Sequence, residues 1–85
     1  MKRKHTSHPG IIARLKRAHG HLGSVLTMFA EDRSCLDLAQ QLHAVENAVS
    51  NAKRELIHDH IEHCLGDEAD PGAAVREFKA LSRYL

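Results

Sequence analysis

The 85-residue chain has no tryptophan, one tyrosine and two phenylalanines, and it is sparse in β-branched residues. That composition gives little material for the pleated, half-buried faces of a sheet. No segment reads as a strand, a repeat or a low-complexity stretch. Two cysteines are too few for a disulfide-stapled secreted scaffold, so reduced thiols in a cytoplasmic protein are expected. No apolar run follows the basic start Met1–His5 at the length of a signal peptide, and none reaches the length of a membrane span. Only two prolines occur, and the stretch from Cys35 to Cys64 holds neither proline nor glycine. A chain this short forms one small domain and leans on a partner subunit or a metal.

What is present is charge asymmetry and histidine. Lys2, Arg3, Lys4, Arg14, Lys16 and Arg17 crowd the first seventeen residues, where no acid occurs, although the formal net charge is only +1. Such a segment suits a polyanion or a solvated face equally well. Eight histidines are many for this length and make a metal site worth seeking.

The periodicity predicts an all-α fold of three helices. In the first, Ser7 or His8 caps and Pro9 takes the first helical position, where a missing N–H costs nothing. Ile11, Ile12, Leu15, Ala18, Leu22, Val25, Leu26 and Phe29 recur at three- and four-residue steps and end near Asp32. Gly20 and Gly23 suggest close backbone packing there. Ser34 with Asp37 resembles a capping box and opens a long second helix. Its seam, Leu38, Leu42, Val45, Val49, Ala52 and Leu56, alternates four and three apart and continues into His60 and Cys64, with a stop at Gly66. Asp70-Pro71 opens a short third helix carrying Val75, Phe78, Leu81 and Leu85. The expected division is a basic, histidine-containing tail over 1–8 and one helical domain over 9–85. A hairpin of two such helices cannot cover both apolar faces, so packing alone asks for an antiparallel four-helix dimer.

His60 and Cys64 stand four residues apart, one above the other on a helix, as an imidazole–thiolate clamp for a transition metal. Cys35 lies in the first turn of the same helix, where the dipole and free N–H groups favour a thiolate. It precedes His60 by about 37 Å of continuous helix, so one chain cannot close the site. An antiparallel partner can, bringing Cys35 of one subunit beside His60 and Cys64 of the other. The plainer alternative for each cysteine is a small buried hydrophobe at a helix end.

Arg14-Leu-Lys-Arg-Ala-His-Gly-His, Arg33-Ser-Cys35, Leu38-Ala-Gln-Gln-Leu-His-Ala-Val-Glu-Asn-Ala and His58-Asp-His60-Ile-Glu-His-Cys64 together resemble the CsoR/RcnR family of metal-responsive repressors, over nearly the whole chain. The resemblance implies a dimer of dimers that holds operator double-stranded DNA without metal and releases it with metal, through a basic helical surface matched by Arg14, Lys16 and Arg17 with Lys53 and Arg54. It implies a metal effector on Cys35, His60 and Cys64, Cu(I) with that trio alone, or Ni(II)/Co(II) with an added histidine, for which His5 and His8 are the candidates. Copper sensors of the family carry a tyrosine before the first cysteine and a glutamate on the third helix. This chain has Ser34 and Ala80 near those places, so Ni(II)/Co(II) is favoured over Cu(I). A metal efflux gene is the expected target.

Three rivals stand beside this reading: a formaldehyde or persulfide thiol sensor on the same fold, a zinc-stapled structural bundle, and an enzyme. Cys64 and His60 argue against the sensor, and the basic first helix argues against the bundle. No His-Glu-x-x-His pair supports catalysis, so no enzymatic activity is expected. His19, His21, His43, His58 and His63 are assigned to helix surfaces.

Overall fold

A computed structural model describes residues 8–63 and 71–85. Its element order is α1 (His8–Ala30), α2 (Cys35–His63) and α3 (Pro71–Ser82), with no strand among the described residues. The three helices follow the predicted order. The expected stop at Gly66 and cap at Asp70 lie outside the described residues, as do His5 and Cys64. None of the described helices is long and apolar enough to cross a membrane.

α1 and α2 form an antiparallel hairpin. The turn between them is built from three backbone bonds and one cap. Asp32 N–H donates to Phe29 O at 3.3 Å and Arg33 N–H donates to Met28 O at 3.4 Å. This is the paired pattern that closes a helix on a left-handed residue. Asp32 is that residue, at φ 64°. Ser34 then caps α2: its Oγ accepts from Asp37 N–H at 3.1 Å, while Leu38 N–H donates to Ser34 O at 3.0 Å. The capping box is one-sided, because the Asp37 carboxylate is held by Arg33 at 2.8 Å. That bond, the largest influence on it, holds the exposed Arg33 guanidinium above its ordinary pKa.

The buried line runs at seven-residue steps on both helices: Ile11, Ala18 and Val25 on α1 against Leu38, Val45 and Ala52 on α2. The predicted α2 seam therefore splits. Leu38, Val45 and Ala52 are buried within the hairpin, whereas Leu42, Val49 and Leu56 are exposed at 42%, 46% and 43%. The α1 stripe splits likewise, with Leu15, Leu22, Leu26 and Phe29 open to solvent. At 3.6 residues per turn each residue advances about 100° around its helix. On that wheel the exposed apolar residues of α1 and α2 all fall to the same side of the buried line, so they form one continuous face of the hairpin.

The molecule measures 55 × 24 × 13 Å, with a radius of gyration of 17.3 Å. A compact chain of this length has a radius of about 12 Å. The short axis is the thickness of a single helix layer. A one-layer hairpin has an inside line but no second layer over its apolar face. α3 has no buried residue, and its Val75 and Phe78 are exposed.

Gly20 and Gly23 depart from expectation. A Cβ at either would meet nothing within 4 Å, so neither glycine serves close packing within this chain.

Candidate metal and DNA interface

Cys35 is the first residue of α2, and its thiol is free and exposed. On the helical wheel it falls on the apolar face with Leu42, Val49 and Leu56, and His60 falls on the same face at the opposite end. The 25 intervening residues put about 37 Å of helix between them. Among the described residues no three of His, Cys, Asp and Glu gather as metal ligands. Within one chain, then, Cys35 and His60 are carried by the same face and kept far apart.

His60 has a neighbour that its own helix does not supply. Its Nε2 lies 3.1 Å from Glu77 Oε1 on α3, and its side chain is only 23% exposed. The sequence has Ala80 near the place expected for this glutamate. The acid comes instead from one turn earlier, because the register of α3 on α2 is set by three-dimensional placement and not by any local pattern. With Nε2 engaged by a carboxylate, Nδ1 is the ring nitrogen left for a metal. Ser34, the residue in place of the tyrosine, is occupied with capping α2.

His8, a candidate extra ligand, is the first residue of α1. Its Nε2 is 3.6 Å from Asp59 Oδ2. Asp59 is 4% exposed and continues the buried line Leu38, Val45, Ala52 by one more seven-residue step. A carboxylate at a core position is costly without partners, and His8 is one of them. The apolar seam through Leu56 and His60 runs beside Asp59 and masks it in the sequence. The seven-residue step was the signal that could have found it. The two remaining proposed ligands, Cys64 and His5, lie outside the described residues.

The five basic residues assigned to DNA do not form one patch. Arg14 and Arg17 line a groove between α1 and α2, together with Ala18, His21, Ala48 and Asn51. Arg14 is held at the groove's edge by Glu55 at 3.2 Å. Lys16 and Arg54 project outward from their helices, and Lys53 falls on the side of the apolar face. His21 is more than a surface residue: it is partly buried, and its Nε2 lies 2.7 Å from Gln41 Oε1.

The family model described as metal-sensitive transcriptional repressor matches residues 7–83. Similar curated proteins include the copper-sensing transcriptional repressor CsoR of Mycobacterium ulcerans (strain Agy99), 41% identical over 51 residues, 60% of this chain and 44% of that protein. The protein of the same name from Bacillus subtilis (strain 168) is 37% identical over 62 residues, covering 73% of this chain and 61% of its own. The copper-sensing transcriptional repressor RicR of Mycobacterium tuberculosis (strain ATCC 25618 / H37Rv) is 33% identical over 63 residues, covering 71% and 66%. In each case the matched part is less than two thirds of the relative's length. No solved structure matches the chain.

Proposed function

Since this chain belongs to the metal-sensitive transcriptional repressor family, we propose that it is a Cu(I)-responsive repressor that holds operator DNA when metal-free and releases it when metal binds. The observation that carries the reading is the exposed apolar face of the hairpin, with Cys35 at one end and His60 at the other. Covering that face with a second, antiparallel copy buries Leu42, Val49 and Leu56 and brings Cys35 of one protomer to His60 and Cys64 of its partner. The working unit is thus an antiparallel four-helix dimer, and a pair of dimers makes the tetramer. The protein acts as a sensor and not as a catalyst.

The donor set suits the ion. An exposed thiol and an imidazole whose Nε2 is engaged by Glu77 are soft and borderline donors of the kind Cu(I) takes. When bound, the metal supplies a link between the start of one long helix and the end of its neighbour. Glu77 stands 3.1 Å from the His60 ring and links α3 to it. The basic residues of α1 hold the DNA backbone in the metal-free state. A coupling of about 1–3 kcal/mol between the two sites is of the ordinary size for such control.

Copper replaces the Ni(II)/Co(II) preference for two reasons. The glutamate missed in the sequence is supplied by Glu77, and His8, one of the two added-ligand candidates, is engaged with Asp59. The names of the relatives point the same way. The test titrates Cu(I), Ni(II), Co(II) and Zn(II) separately while following operator binding of wild type and Cys35→Ala. Cu(I) should release DNA from wild type only. Release of the variant by Cu(I), or release of wild type by Ni(II) and not Cu(I), defeats the proposal.

A further inference from the structure

The groove between α1 and α2 is a concave polar surface that the metal end does not use. It encloses about 350 Å³ and is lined by Arg14, Arg17 and His21 on α1 and Asn51 on α2, over a floor of Ala18 and Ala48. Residues 14, 17, 18 and 21 share one helical face, as do 48 and 51. The two alanines keep the floor low, and the four polar residues stand around it. On the helical wheel the groove falls on the opposite side of the buried line from Leu15, Leu22, Leu42, Val49, Cys35 and His60. A partner seated on the apolar face therefore leaves the groove open.

We propose that this groove seats a backbone phosphate of duplex DNA, with His21 and Asn51 as phosphate-binding residues alongside Arg14 and Arg17. The inference rests on the repressor reading and extends it to two residues that charge alone does not flag. A phosphodiester offers acceptor oxygens only. The groove answers with two guanidinium groups and the Asn51 amide, and with the His21 ring in its doubly protonated form, since Nε2–H is already given to Gln41 Oε1, within a space that takes one phosphate and its waters. Two of the lining groups are held before any ligand arrives. Arg14 is braced by Glu55 at 3.2 Å, and His21 by Gln41 at 2.7 Å. Glu55 lowers the positive potential beside the groove while it fixes Arg14.

A mixed-sequence duplex at low ionic strength is a sufficient probe, because phosphate contacts supply sequence-independent binding. Affinity is measured by fluorescence anisotropy over a salt series, using full-length protein without metal. Asn51→Asp puts a carboxylate into the groove that the arginines line and should weaken binding about tenfold. Asn51→Lys should tighten it, and Glu55→Gln should tighten it slightly. His21→Ala should weaken it with no change in Cu(I) stoichiometry. Arg17→Ala should reduce the slope of log affinity against log salt by about 1. Asn51 is exposed on a helix, and opposite responses to Asp and Lys cannot come from misfolding. If wild type and Arg17→Ala differ while both Asn51 variants and His21→Ala bind as wild type does, the groove is not the seat. If wild type does not bind the duplex at all, the repressor reading fails with it. Perturbation of the His21 and Asn51 resonances by inorganic phosphate in that case would assign the groove to a free anion instead.

Discussion

The Nε2 of His60 and the Oε1 of Glu77 face each other at 3.1 Å across the junction of α2 and α3. Through this pair the end of the long helix, where a metal ligand sits, is joined to a third helix that buries none of its own residues. Partners of this kind, which orient a ligating histidine, typically contribute about 10–100-fold in metal affinity. Glu77→Ala should therefore lower Cu(I) affinity by at least about tenfold, measured by competition with a Cu(I) chelator. Ala80→Glu in wild type should change it little. Equal affinities for Glu77→Ala and wild type would remove Glu77 from the site.

The apolar face yields a second expectation. Val49 is at its centre, with Leu42 and Leu56 one heptad step to either side. Val49→Glu should leave a helical chain that sediments as a monomer and binds Cu(I) weakly. Each large apolar side chain withdrawn from such a contact forfeits about 1.5–3 kcal/mol. Retention of the oligomer would show that some other surface joins the subunits.

His8 gives a third. Its contact with Asp59 makes it a stabilising residue. His8→Ala should lower unfolding stability in urea by about 1 kcal/mol, and Cu(I) stoichiometry should not change. A fall in stoichiometry would return His8 to the ligand set.

Asp32 gives a fourth. It occupies the left-handed position, φ 64°, where glycine meets no steric penalty. Asp32→Gly should raise stability by up to about 1 kcal/mol, and a β-branched residue there should lower it by more. The midpoint of urea unfolding at constant protein concentration is the measurement. A destabilised Asp32→Gly protein would mean that the aspartate side chain carries the turn.

Most of the fold was legible because it is helical and local. The unbroken stretch before Cys64, the Ser34 cap and Pro71 marked their elements through spacing and chemistry that act within a turn or two. Cys35 and His60 were legible for the same reason, since one continuous helix sets their separation and their common face. The division of the α2 seam was not legible. Leu38 and Leu42 look alike in sequence, and only the docking of α1 decides which is covered. Asp59 escaped because a polar residue does not register in an apolar pattern, even at the next seven-residue step. Glu77 escaped because no local spacing relates α3 to α2. His21 and Asn51 escaped because a groove between two helices belongs to neither sequence segment alone.

The length of α2 has a genetic consequence. In the proposed antiparallel pair no polypeptide owns a site, since each site takes Cys35 from one chain and His60 with Cys64 from the other. A Cys35→Ala chain and a His60→Ala chain are each inactive alone, yet together they assemble one whole site and one doubly broken site. With unbiased pairing about a quarter of the wild-type capacity returns. Two defective copies in one cell would then complement each other, whereas two copies damaged at the same end of the rod would not.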